Sequence, residues 1–145
     1  MIFNHKAKLH TAQGTRSLDL KLARGLWSRF RGLMLSRPLQ MDPDPQGLLI
    51  TRCPSVHGFF MLYSLDIVYL ATDVTTTDIK SSPSQTYSVT HTTNLRPWSI
   101  SFGKNHIVTT QQGTLNQRSA HALELPAGTI KLLGITPGDR LEVPT

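Results

Sequence analysis

Residues 53–70 read CPSVHGFFMLYSLDIVYL, the longest apolar stretch in the chain, and the apolar residues occupy both odd and even positions. A strand with that pattern must be covered on both faces, so whatever this chain folds into needs two apolar layers around this segment. The run is too interrupted to cross a membrane as a helix, which takes about 20 consecutive apolar residues. His57, Ser64 and Asp66 break it first. The stretch also holds the single cysteine, Cys53, and one carboxylate among aliphatics, Asp66.

The flanking segments supply short strands and turns. Residues 2–11 read as a strand, and Gly14 permits a hairpin turn. Residues 17–22 alternate strictly between polar and apolar, as in a half-buried strand. The period then changes. Leu26, Phe30 and Leu33 fall at i, i+4 and i+7, which predicts a short amphipathic helix over about 24–35, ending before Pro38. Residues 41–47 form a loop by their prolines and glycine. Asp42 and Asp44 hint at a calcium loop, but the closing glutamate and the other oxygen ligands are missing. Residues 48–50 begin another strand.

Residues 71–95 are rich in Thr and Ser and predict a polar loop or an exposed hairpin. Further strands are expected over 100–110, 119–125 and 140–143, with a single helical turn at 129–133 capped by Gly134. The predicted fold is mainly β: a sandwich or barrel-like antiparallel architecture with one short helix, forming one domain over residues 1–145.

Composition narrows the function classes. A 39% apolar and 17% charged chain has the balance of a globular protein and not of a disordered one. One cysteine excludes an internal disulfide and a multi-cysteine metal site, and fits a reducing compartment. The N-terminus lacks the apolar core of a signal peptide, so a cytoplasmic location is expected. The formal charge is +6, and all of the excess sits in residues 1–52, with nine Lys/Arg against three Asp. That asymmetry fits a solvated basic face or an anionic partner met through Arg24, Arg29, Arg31 and Arg37. Trp27 and Phe30 interleave with those arginines as in nucleic-acid binders, but Phe30 falls on the predicted core face, so nucleic acid is not favoured.

Four pieces in order carry a family resemblance: RFRGLM at 29–34, HGFFMLYSLDIVYL at 57–70, RPW at 96–98, and LELPAG with GITPGD at 123–128 and 134–139. Together they resemble the bacterial and archaeal family called domain of unknown function 192, over roughly residues 16–143. The resemblance implies a mostly β fold with one helix and no established activity. It also implies a loose link to the cell envelope or to pilus assembly as a source of partners. The chain departs from the family pattern at four positions: Gly58 where threonine is usual, Leu62 and Ser99 where arginine is, and Ser64 where proline is.

The chemistry-bearing residues support three readings. In the first, a module without catalysis binds a partner protein or small ligand in a cleft bordered by His57, Phe59, Met61, Asp66 and Trp98. In the second, a hydrolase-like enzyme uses His57 with Asp66 or Glu124, with Cys53 as an alternative nucleophile or the two carboxylates as an acid–base pair. Strand parity opposes it, because positions 57 and 66 point to opposite faces of an unbroken strand and meet only if a turn intervenes near Ser64. In the third, the arginines of residues 24–37 bind an anionic surface. A zinc site of His57, His121 and Asp66 has no supporting spacing, and no metal or cofactor is expected. Asp66 and Glu124 are the anomalies: a carboxylate inside an aliphatic strand needs a partner or solvent.

Overall fold

The structure, a computed structural model, describes residues 2–25, 37–73 and 84–145. The strands are β1 (His5–Thr11), β2 (Gly14–Ala23), β3 (Gln46–Ile50), β4 (Ser55–His57), β5 (Leu65–Thr72), β6 (Ser84–Leu95), β7 (Ile100–Phe102), β8 (His106–Thr110), β9 (Gly113–Gln117), β10 (His121–Pro126) and β11 (Arg140–Pro144). The described helix is α1 (Thr129–Leu133). The amphipathic helix expected over 24–35 falls largely on residues 26–36 and lies outside the described residues.

Seven strands close a barrel in the order β1-β11-β6-β5-β10-β3-β2. Every pairing is antiparallel except β2 with β3. Of the two expected architectures, the chain adopts the barrel. Two further pairs, β4 with β7 and β8 with β9, form small separate sheets.

The alternation in residues 17–22 places Leu18 and Leu20 inside the barrel, where they meet Val68, Leu70, Leu123, Leu125, Leu141 and Val143. The opposite parity of β5, β10 and β3 builds a second cluster outside it. Ile67, Tyr69, Ala122, Leu48 and Ile50 are covered there by Leu39, Val56 and Met61 from the connections between strands. This is the two-sided coverage that residues 53–70 demanded, although residues 58–64 are irregular and only the ends of the stretch are strand. Full burial of each such aliphatic side chain contributes about 1.5–3 kcal/mol.

The Thr-rich stretch contributes the longest described strand, β6, with Tyr87, Ser88, Val89 and Thr90 buried. Residues 84–95 are therefore neither the polar loop nor the exposed hairpin expected over 71–95 but a barrel strand paired with β5 and β11, because threonine suits a pleated surface as well as a loop. Residues 74–83 lie outside the described residues.

The two barrel ends differ. Where β5 begins and β10 ends, α1 packs over the barrel: Leu133 and Ile135 join the interior cluster, with Ile130 packed against it. The helix ends at Gly134, whose left-handed φ of 64° suits the expected cap. At the other end β2 and β3 stop, β1 starts, and no described helix lies over the opening.

Candidate functional site

Asp66 is explained by α1. In the register of β5 it sits opposite Leu125 of β10 and Asn94 of β6. Leu125 faces the barrel interior, so Asp66 does too. Its Oδ2 accepts the Ile130 amide of the first helical turn at 2.8 Å, and its Oδ1 accepts from Asn94 Nδ2 at 3.2 Å. Alongside, the Thr129 hydroxyl donates to the Pro126 carbonyl at 2.7 Å. A carboxylate that satisfies an orphan helix amide holds the lid on the barrel.

Glu124 faces the other way. It pairs with Ile67 and Leu48, both members of the outer cluster, and is only 4% exposed. Its Oε2 has no hydrogen-bond partner among the described residues. Burial alone pushes its carboxyl up to about 8, so it is held protonated near neutrality. Asp66 and Glu124 therefore lie on opposite faces of one sheet, and the structure does not bring them together as an acid–base pair.

His57 ends β4 on the small sheet that covers the outer cluster, and its ring stacks on Phe59 with centroids 5.1 Å apart. A turn does intervene before Ser64, as the parity argument required, but the oxygens of Asp66 are turned to α1 and Asn94 rather than toward His57. Cys53 Sγ donates to the Ser55 carbonyl at 2.8 Å. His121 Nδ1 accepts the Arg52 amide at 3.1 Å while Nε2 lies 3.0 Å from the Thr72 hydroxyl, and burial followed by the Arg52 charge holds its pKa below the usual value. Both ring nitrogens of His121 are thus engaged. Among the described residues no group of three or more His, Cys, Asp or Glu side chains is placed to hold a metal. Asp44 accepts from Lys6 at 2.8 Å, and Lys6 also reaches Asp19 at 3.1 Å, so this loop carboxylate ties the 41–47 loop to the barrel.

The five expected cleft residues separate. Met61 is buried in the outer cluster and Asp66 faces the interior, whereas His57, Phe59 and Trp98 gather at the surface. There they join residues that sequence reasoning did not single out. Phe60 meets the edge of Trp98 with centroids 5.1 Å apart. Leu62, Ile100 and Phe102 stand exposed nearby in the chain, at 78%, 54% and 67%.

β7 inverts the usual pattern, with Ser101 turned inward, where it accepts the Tyr69 hydroxyl at 3.0 Å, and Ile100 and Phe102 turned outward. An Ile-Ser-Phe triplet shows alternation but not which side is buried, so the sequence carried no signal for this. The Trp98 amide donates to the Gly58 carbonyl at 2.7 Å and the Gly58 amide to the Ser99 carbonyl at 2.7 Å. A Cβ on Gly58 would collide with the Arg96 carbonyl oxygen, so a glycine here is what lets the two turns lock. Phe60 and Trp98 both hold left-handed backbone, at φ 59° and 61°, a conformation that costs a bulky residue of the order of 1–3 kcal/mol.

With this geometry in view, comparison with known proteins places the chain. The sequence model of domain of unknown function 192, described as an uncharacterized ACR family, matches residues 8–143. The chain belongs to this family. A curated family relative, a UPF0127 protein of Pyrococcus abyssi, is 30% identical over 88 residues. The match covers 61% of this chain and 54% of that protein, so it spans about half the relative's length. A solved structure from Sinorhizobium meliloti 1021, named as a candidate transcription regulator, aligns with a TM-score of 0.65 at 30% identity, over 96% of this chain and 92% of that one. A protein of unknown function from Novosphingobium aromaticivorans shares the fold with a TM-score of 0.65 at 20% identity, over 94% and 82%. No described helix is long and apolar enough to cross a membrane.

Proposed function

We propose that this protein is a binding module that docks an apolar, acidic segment of a partner protein on the ledge formed by Phe59, Phe60, Leu62, Trp98, Ile100 and Phe102. The observation that carries the reading is the exposure of these six large apolar residues on two turns and one short strand, two of them held at positive φ. Large apolar residues kept exposed at a conformational cost are a mark of an interaction site. Leu62, standing where the family usually has arginine, extends the ledge.

The sign of the partner follows from charge. Residues 52–62 and 96–104, which carry the ledge and its flanks, contain Arg52, Arg96 and Lys104 and no Asp or Glu. An apolar segment flanked by carboxylates complements that rim. A hydrolase using His57 with Asp66 or Glu124 is disfavoured, because both oxygens of Asp66 are engaged by Ile130 and Asn94 and the Oε2 of Glu124 has no hydrogen-bond partner, His57 included, among the described residues. The name of the Sinorhizobium neighbour favours nucleic acid as a second reading, and aromatics beside cations can stack bases. Against it, Leu62 and Ile100 have no stacking face, and the edge contact of Phe60 on Trp98 occupies part of that surface.

The test is a titration followed by amide chemical shifts. The titrants are a peptide alternating Leu or Phe with Asp and Glu, its Lys-for-acid counterpart, and an oligothymidylate. The acidic peptide is expected to shift residues 58–62 and 98–102 and to lose that effect in Trp98→Ala. Equal binding by the basic peptide, preferential binding by the oligonucleotide, or a self-association that buries the ledge would each overturn the reading.

A further inference from the structure

The barrel end opposite α1 carries a feature that the ledge does not use. A groove of about 590 Å³ opens there, lined by Ile2, Asn4, His5, Lys21, Leu22 and Arg24. We infer that this mouth binds a small organic anion, a carboxylate or phosphate carrying a short apolar body, with Lys21 and Arg24 on the charge and Leu22 and Ile2 on the body.

Four observations converge. Position comes first: mouths of β-barrels are favoured ligand sites, and the groove lies at the end where β1 starts and β2 stops. The lining is the second. It holds two permanent cations and one histidine and no carboxylate.

Third, neither cation has an ion pair among the described residues, whereas Lys6, on the same hairpin, is paired with both Asp19 and Asp44. A cation without an ion pair next to apolar surface attracts an anion more strongly than a solvated one, because screening by water is reduced.

The fourth is direction. Leu18, Leu20 and Leu22 form the inward row of β2, Lys21 stands on its outward face opposite Leu48, and Arg24 follows directly after the strand. Its charge is felt by the phenol of Tyr87, which burial raises and Arg24 opposes. The Arg24 charge therefore lies within electrostatic reach of the barrel interior, and a ligand's charged end would meet it at the rim while the tail lay along Leu22. The size fits as well, since ligand pockets typically span about 300–1,000 Å³.

Hexyl phosphate, hexanoate, inorganic phosphate and hexanol separate the contributions, measured by calorimetry and by amide shifts on the full chain. Hexyl phosphate or hexanoate is expected to bind at least tenfold more tightly than inorganic phosphate and than hexanol, with shifts centred on residues 2–5 and 21–24. Lys21→Ala with Arg24→Ala should weaken it at least tenfold. Lys8→Ala with Arg16→Ala, on exposed positions elsewhere on the same hairpin, should leave it unchanged. Both replacement pairs alter exposed or half-exposed side chains, and an unaltered amide spectrum verifies that each variant is folded. Inorganic phosphate binding as tightly as hexyl phosphate would reduce the groove to general charge attraction and overturn the inference, as would equal losses in the two double variants. Because the ledge peptide and these anions report on different residues, failure of either reading leaves the other standing.

Discussion

The carboxylate of Asp66 accepts the Ile130 amide at 2.8 Å, joining a barrel strand to the helix that covers the barrel end. The contact accounts for a charged residue inside an otherwise aliphatic strand. Asp66→Ala leaves a buried amide without an acceptor, which costs about 1–3 kcal/mol. Urea denaturation should show a lower midpoint by that amount with an unchanged slope, and amide exchange at Ile130 should accelerate. Unaltered stability would remove the capping role.

Glu124 sets a pH dependence with a definite sign. In the folded chain its carboxyl is pushed up from 4.5 to about 8 by burial. Below pH 4.5 it is protonated whether folded or not. As pH rises above that, the unfolded chain releases the proton while the folded chain holds it, so stability falls through the window from about 4.5 to about 8 and levels off beyond it. The slope contributed by this one group approaches ~1.4 kcal/mol per pH unit. Glu124→Gln has no proton to release, and its denaturation free energy should decline less steeply over that window. Parallel slopes in the two proteins would contradict the assignment.

Phe60 offers a way to separate binding from folding. Replacement by glycine removes an exposed ring and relieves the left-handed backbone, with an offsetting loss from the greater freedom of the unfolded chain. The expected result is a stability within about 1 kcal/mol of the parent, together with a weakened response to the acidic peptide. A large loss of stability would mean that the ring is structural.

Gly58 is the reverse case. Gly58→Thr introduces a Cβ that would meet the Arg96 carbonyl, a backbone atom with little room to yield. The substitution should destabilise by about 1–3 kcal/mol, in the range of overpacking. It should also broaden the Phe59, Phe60 and Trp98 signals, since the lock between the two turns is disturbed. Tolerance of threonine without spectral change would show that the turns adjust freely.

Much of the frame was legible in the sequence because it rests on period and turn chemistry. The alternation in residues 17–22, the Gly14 hairpin and the Gly134 cap all appear where their residue types place them. The two-sided burial of Ile67, Val68 and Tyr69 follows from apolar residues at both parities. What the sequence hid depends on partners distant in the chain. Asp66 looked like a catalytic carboxylate until Ile130, 64 residues on, supplied its amide. Glu124 resembled it in sequence but faces the opposite layer, a distinction that only the β5–β10 register makes. Of the exposed apolar residues, Phe59 and Trp98 stood among the cleft residues read from the sequence, whereas Ile100 and Phe102 did not, because a three-residue strand does not disclose which parity points outward.

The seam of the barrel lies between β1 and β11, near the two ends of the described chain. On a ribosome this orders events in time. Strand β1 can pair with β2 as soon as both are made, but its other edge stays open until β11, the last strand of the barrel, arrives to occupy it. Such long-range closure is the slow kind. Until it happens β1 offers an open hydrogen-bonding edge, the feature through which β proteins aggregate or exchange strands with their copies.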